Sequence, residues 1–320
     1  MSYAYHRPAA LVVCLLAGCM QFGCWPGECK ANGVYIVANT VPTGGGGSTT
    51  GVYQFDRQGV GQGAFGQIIP GSYFSIATNG IEFFVGSTGD RIRRFSLTGD
   101  YLGYFDPRSN GTPRLEFDVA GNLYGAGVRD GAVRFNPDGS NAQVFPPIAF
   151  TYAIDADALG NVYVRGRSNS GGPGEGLFKY TAAGSFLGFT STSMAGNDIS
   201  IDEANGRLYL SQKTSASSIG AYDITGPAPA FLGSIPTPGL IDGISFDAST
   251  GHLLGVDVLA GRGYELTTAG AVVQTYEFGG AYFPFDIVAL PNPEPSTLLL
   301  AAALFSSIAL NRKLKRQQRT

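Results

Sequence analysis

The chain is 320 residues long, with 14% charged residues, 44% hydrophobic residues and a formal net charge of −3. Five of its 21 basic residues fall at positions 312–319. The remainder sets 16 basic against 24 acidic groups, an acidic balance with no basic patch and so a poor nucleic-acid binder. Glycine, at 47 residues, is about twice its usual share, and 16 tyrosines and 21 phenylalanines accompany it; many turns and many short strands are expected, not a helical fold.

In chain order, residues 1–31 read as a signal peptide. Arg7 gives a weak positive start, and Ala9 to Gly18 supply an apolar stretch of about ten residues, within the signal-peptide range and too short to span a membrane. Leu16-Ala17-Gly18-Cys19 resembles a lipobox, in which Cys19 becomes the lipidated first residue; conventional cleavage near Ala31 is the competing reading. All four cysteines (Cys14, Cys19, Cys24 and Cys29) lie in this segment. The body therefore offers no disulfide and no thiol nucleophile, and the even spacing in an apolar leader is a poor zinc set.

Residues 32–290 are built from a repeat. An aromatic or apolar residue four positions before a glycine recurs at Phe55–Gly59, Phe95–Gly99, Phe135–Gly139, Tyr180–Gly184, Tyr222–Gly226 and Leu266–Gly270. The period is 40 to 45 residues, read from those glycines. A second unit, apolar-Asp, a glycine turn and a short strand, is read at Asp118, Asp155, Asp202 and Asp247, with a degenerate copy at Ile76-Ala77 and Gly80 to Val85. Aspartate accepts hydrogen bonds from turn amides and glycine supplies positive φ, so this unit is expected to build hairpins. Four short strands per period of this length resemble the blades of NHL-type and related six-bladed β-propellers. That resemblance implies an all-β body, closed by Phe285 to Leu290 pairing with the strands at Gly33 to Val37 and Gly51 to Phe55. A pair of β-sandwiches is the alternative, and the regular spacing disfavours it.

Low-complexity stretches read as loops. Gly44 to Gly47 is no phosphate loop, because no Gly-Lys-Ser/Thr follows it. Gly171 to Gly174 is a loop within the fourth repeat, and Asn110-Gly111-Thr112 matches a glycosylation sequon. Candidate chemistry is thin. His6 belongs to the leader, and His252 occupies a position filled in sister repeats by Asn122, Asn161 and Arg207, which points to a solvated hairpin. The repeated aspartates, Asp286 included, are read as turn builders. Asp198 and Asp242 align just before the inner strands of the fifth and sixth repeats, at one mouth of the expected channel, and are weak candidates for Ca²⁺ ligands. Lactonase propellers of the regucalcin type use such a central metal, but the full Glu/Asn/Asp set cannot be assembled from this sequence. Tyr101, Tyr104, Phe105, Phe186, Phe189, Tyr276 and Phe278 read mostly as packing residues.

Residues 291–320 close the chain. Pro293-Glu294-Pro295-Ser296 hold the backbone extended. An uncharged run from Thr297 to Leu310 follows, about 20 Å long as a helix and short against a hydrocarbon core. Arg312, Lys313, Lys315, Arg316 and Arg319 then form a basic stop-transfer flank. Extended acidic dipeptide, short apolar helix and basic end, in that order, resemble the PEP-CTERM sorting domain of exported bacterial proteins. The resemblance implies processing near Pro293–Ser296 by an exosortase, and a producer with an outer membrane and an extracellular matrix. It also implies transient anchoring by a C-terminal transmembrane helix, following export through signal peptidase. The expectation is thus an exported, non-enzymatic propeller of the cell envelope or matrix, with exopolysaccharide or matrix proteins as partners and no nucleic acid. A metal-dependent hydrolase or lactonase and a glycan-binding module are the alternatives.

Overall fold

The computed structural model describes residues 33–290, except 41–48, 71–72, 88–90, 106–111, 119, 128–130, 146–147, 170–171, 193–195, 213–216 and 279–281. The leader with Cys19, Gly44 to Gly47, Asn110 and the whole sorting tail lie outside the described residues.

Among the described residues, twenty-four strands form six four-stranded sheets. Blade one contains β1 (Val34–Thr40), β2 (Thr49–Phe55) and β3 (Gly61–Pro70). Blade two is β4 (Tyr73–Thr78), β5 (Glu82–Ser87), β6 (Arg93–Ser96) and β7 (Tyr101–Tyr104). Blade three is β8 (Arg114–Phe117), β9 (Leu123–Gly127), β10 (Gly131–Phe135) and β11 (Asn141–Phe145). Blade four is β12 (Ile148–Ala156), β13 (Val162–Ser168), β14 (Glu175–Tyr180) and β15 (Phe186–Ser191). Blade five is β16 (Ile199–Asp202), β17 (Arg207–Ser211), β18 (Ser218–Asp223) and β19 (Ala230–Pro236), with a single 3₁₀ turn at Glu203–Asn205. Blade six is β20 (Ile241–Asp247), β21 (His252–Asp257), β22 (Arg262–Leu266) and β23 (Val272–Glu277). The last strand, β24 (Tyr282–Ala289), returns to blade one and pairs antiparallel with β1, Val34 opposite Ala289 and Ile36 opposite Ile287. The innermost strands β24, β4, β8, β12, β16 and β20 contact one another in a closed ring, so the sheets surround a central channel. Among the described residues no helix is long and apolar enough to cross a membrane.

The repeated aromatic marks one structural event. In every blade the third and fourth strands shift register immediately before that residue, at Phe55, Phe95, Phe135, Tyr180, Tyr222 and Leu266. The bulge sharpens the local twist, and the residue carrying it is buried in each case. The following glycine closes the turn at positive φ in five blades (Gly59, Gly99, Gly139, Gly184 and Gly270), donating its amide to the carbonyl three residues back. Blade five differs: Gly226 is not at positive φ, and Asp223 orders its turn by accepting from the Thr225 amide and hydroxyl.

The core lies between blades. Tyr124, Phe145, Phe178 and Tyr180 fill the junction of blades three and four, and Phe55, Leu254, Val256 and Tyr276 fill that of blades six and one. Phe105, Phe189, Tyr276 and Phe278 pack into these layers as expected. Tyr101, Tyr104 and Phe186 do not. They sit 42%, 41% and 55% exposed on outermost strands, where no further blade covers them.

The turn aspartates also need correction. Asp118, Asp157, Asp202 and Asp247 build the hairpins between first and second strands. Asp118 and Asp157 each accept from the amide and side chain of the asparagine four residues on, and from the hydroxyl of Tyr124 or Tyr163. Asp202 accepts from Asn205, and Asp247 from Ser249 and Thr250. Asp155 and Asp286 are not turn builders. Both belong to inner strands.

Candidate functional site

An inner strand has a sheet partner on one side only. The amides on its channel edge need acceptors, because a buried unpaired N–H is costly. Acidic and hydroxyl side chains on the preceding blade supply them. Asp286 accepts the Ile287 amide with Oδ1 (2.8 Å) and, across the junction, the Ile76 amide with Oδ2 (3.0 Å). Asp198 does the same for Ile199 (3.1 Å) and, in the next blade, Ile244 (3.0 Å). Asp155 accepts from Ala156 at 2.6 Å and from the Ile201 backbone, and Ser200 Oγ accepts from Phe246 at 2.8 Å. These bonds cross three junctions, from blade one to two, four to five and five to six, stitching the ring from inside.

Arg114 on β8 lies at the centre. Its Nη1 donates to the carbonyls of Phe74 (2.9 Å) and Phe285 (3.2 Å), while Nη2 donates to Asp242 Oδ2 (3.3 Å). Asp198 Oδ2 stands 3.9 Å from Nη1. One side chain from blade three thus touches blades two, one, five and six. Burial alone would lower the Arg114 pKa, but Asp198, Asp286 and Asp242 outweigh it and hold the guanidinium charged.

The carboxyls respond to the same enclosure. Burial, followed by the neighbouring acids Asp155 and Asp198, raises Glu116 well above the usual carboxylate range. Burial likewise raises Asp155 and Asp286 well above it, with Arg114 partly opposing at Asp286. Asp198 is pushed up to about 6 by burial, against the pull of Arg114. One mouth of the channel opens into a cavity of about 380 Å³. Glu116, Asp155, Ser200 and Ser245 line it from equivalent register positions in four successive blades, opposite Tyr124, Tyr163, Tyr209 and Leu254 on the second strands.

Asp198 and Asp242 do not fit a Ca²⁺ site in this arrangement. Both Asp198 oxygens accept backbone amides, and the Asp242 oxygens face Asn197 Nδ2 and Arg114 Nη2. A guanidinium and three N–H donors occupy the directions in which a cation would bind, and calcium requires six to eight oxygens turned toward it.

No family model matches the chain, and no curated protein matches it. Solved structures do. A chain of a nidogen/laminin complex superposes with a TM-score of 0.59 at 13% identity, covering 82% of this chain and 99% of that one. A gluconolactonase of Xanthomonas campestris superposes with a TM-score of 0.55 at 15% identity, covering 66% of this chain and 78% of its own. A chain of a mitotic checkpoint complex gives 0.51 at 10% identity, over 65% and 67%. What they share with this chain is the propeller fold. Proteins of such different description on one fold leave function to be argued from the site.

The central residues, Arg114, Glu116 and Ser200, were not singled out from the sequence. A signal for part of the set was present in the spacing. The turn aspartates stand three residues before their glycines at Asp118–Gly121 and Asp157–Gly160 and four at Asp202–Gly206 and Asp247–Gly251, whereas Asp155 stands five before.

Two blade junctions away from the channel are sealed by charge. The side chain immediately before the bulge residue reaches into the next blade's outer turn. Lys179 Nζ donates to the carbonyls of Ile224 and Gly226, both at 2.8 Å. Glu265 accepts from Tyr276 at 3.0 Å, lies 4.0 Å from Arg57 Nη1, and holds His252 Nδ1 at 2.7 Å. Arg57 also pairs with Asp247 at 2.6 Å. His252 is therefore not merely a solvated hairpin residue. It belongs to the polar clasp joining blade six to blade one.

Proposed function

We propose that this chain is an exported, non-enzymatic propeller that serves as a structural or binding component of the cell envelope or extracellular matrix. The observation that carries the non-enzymatic part is Arg114. A fixed guanidinium bridging four blades fills the middle of the channel, and the surrounding carboxylates are committed to it and to backbone amides. Such a channel is built as a keystone, which favours a stable scaffold over a reaction centre. The sorting part rests on residues 293–319. Pro293-Glu294-Pro295-Ser296 offer an extended strand for an exosortase to grip, and the apolar run and basic flank of Arg312, Lys313, Lys315, Arg316 and Arg319 hold it in the inner membrane until cut. Only Leu290, Pro291 and Asn292 separate that motif from the end of the closing strand at Ala289. So short a link favours release or transfer over permanent anchoring.

A metal-dependent hydrolase or lactonase is the second reading. One observation favours it: Glu116 and Asp155, both with raised pKa, share the channel-mouth cavity, as general acids do. One experiment separates the two readings. The purified mature protein is assayed against a panel of aldonolactones with and without Ca²⁺, while its termini are read by mass spectrometry. The proposal expects no Ca²⁺-dependent turnover, a C-terminus within the Pro-Glu-Pro segment, and full-length chain retained in the membrane when Pro293, Glu294 and Pro295 are replaced by alanine. Turnover abolished by Glu116→Gln establishes the enzyme reading instead.

A further inference from the structure

The junction of blades two and three departs from the pattern just described. Arg94 occupies the position of Lys179 and Glu265, directly before the bulge residue Phe95. It does not reach the next blade. It turns back onto Glu82 of its own blade in a two-pronged pair, Nε to Oε2 and Nη2 to Oε1, each at 2.8 Å. The outer turn it would have met, Asn136-Pro137, stands apart, and between them lies a cleft of about 280 Å³.

Phe84, Phe105, Phe117 and Phe135 line this cleft. Their rings meet edge to face, Phe84 with Phe105 at 5.2 Å and with Phe117 at 5.0 Å, and Phe105 with Phe135 at 5.8 Å. Phe84 stands where blades three and four carry Tyr124 and Tyr163, whose hydroxyls bond to the turn aspartates. Without that hydroxyl the floor stays wholly apolar.

The lining also contains polar groups whose capacity is only partly used. Asn79 accepts the Ile81 and Glu82 amides through Oδ1, leaving its NH₂ as a donor. Asn122 and Asn136 donate their NH₂ groups to Asp118 and Ser140, leaving their carbonyl oxygens as acceptors. The Arg94–Glu82 pair adds further donors and acceptors with no net charge.

From this we infer that the cleft between blades two and three is a binding site for a single neutral pyranose residue of a glycan. A pyranose has C–H faces that pack on aromatic rings, and an edge of hydroxyls that both donate and accept. The charge-neutral lining disfavours anions and amines. The volume, at the low end for small-molecule sites, takes one ring. An aromatic peptide side chain would fill the floor but leave the amide groups unpaired. The inference rests on the reading of the chain as an envelope or matrix binding module, and names what that module holds.

The test uses the mature propeller and the methyl glycosides of glucose, galactose, mannose and N-acetylglucosamine, with N-acetylphenylalanine amide as the peptide-like probe. Binding is read by saturation-transfer NMR and titration. Two variants leave the core intact. Asn136→Ala removes one acceptor from an exposed turn, and Ile81→Trp covers the opening from a position that is 72% exposed. The expected result is binding of at least one glycoside, weakened about tenfold or more by Asn136→Ala and lost in Ile81→Trp, with thermal midpoints unchanged. The inference is overturned if no glycoside binds, if the variants bind as the parent does, or if the phenylalanine amide displaces the sugar at equal concentration. The share of the protein held in the envelope and extracellular-matrix fractions is measured alongside. Presence there without sugar binding removes this site and leaves the module reading standing, whereas absence of the parent from both fractions removes the module reading itself.

Discussion

Arg114 is the residue on which the channel depends. Removing it leaves Asp242 without its guanidinium partner, leaves Asp198 and Asp286 without the charge that offsets their burial, and strips the Phe74 and Phe285 carbonyls of a donor. Breaking a buried pair from one side costs about 3–5 kcal/mol. Arg114→Met is expected to lose about that much at pH 7.5 by urea unfolding, and less at pH 5, where the carboxyls can protonate instead of standing unpaired. An equal loss at both values would contradict the assignment. The complementary residue is Asp155, whose folded pKa lies above its unfolded value. Its carboxyl therefore favours the folded state fully below the unfolded pKa of about 4, and that contribution disappears as pH rises through the folded pKa. Asp155→Asn keeps an acceptor for the Ala156 and Ile201 amides without the charge. Its unfolding midpoint is expected to exceed the parent's at pH 7.5 and to lose that advantage by pH 4. Circular dichroism across urea series at the two values decides it; a variant weaker than the parent at pH 7.5 sinks the reading.

At the scale of the element, what the sequence makes legible is whatever the chain does within about five residues of itself. The aromatic-to-glycine spacing is readable because bulge and turn are local, and so the blades and their period follow from it. The channel is not readable in that way. Asp286 meets Ile76 210 positions away, and Arg114 meets Asp242 128 positions away, so no local pattern pairs them. The confusion of Asp155 with Asp157 has the same origin: two aspartates on alternate positions of one strand end look alike until a neighbouring blade distinguishes them. Glycines test the local logic. Gly99 and Gly121 both have positive φ, at 90° and 80°. A Cβ at Gly121 meets nothing within 4 Å, whereas one at Gly99 lies 2.7 Å from the Gly66 amide nitrogen in blade one. Gly121→Ala is expected to cost only the conformational strain, roughly 1–2 kcal/mol. Gly99→Ala must also push two blades apart, and should lower the thermal midpoint clearly further. Equal midpoints would show that the blade contact is slack.

At the scale of the molecule, the ring is closed by one strand from the far end of the chain. β24 pairs with β1 through seven register pairs, its Asp286 ties blade one to blade two, and its Phe285 carbonyl receives Arg114. The same strand shields an edge that would otherwise present unpaired amides and carbonyls to solvent and to other chains. Closure therefore joins sheet pairing, junction bonding and channel neutralisation in a single event, and the ring should behave as one cooperative unit and not as six independent blades. A chain ending before Tyr282 leaves β1 as an open inner edge and Arg114 with one carbonyl fewer. It is expected to unfold at markedly lower urea concentration, to self-associate, and to lose hydrogen-exchange protection in β4 of blade two as well as in β1 and the rest of the missing strand's own blade. Adding a synthetic peptide of residues 282–290 should restore part of that protection. If the truncated chain keeps parental protection in β4, the closing strand is an ornament on a ring that holds without it, and the proposed link between closure and the adjoining sorting segment loses its structural basis.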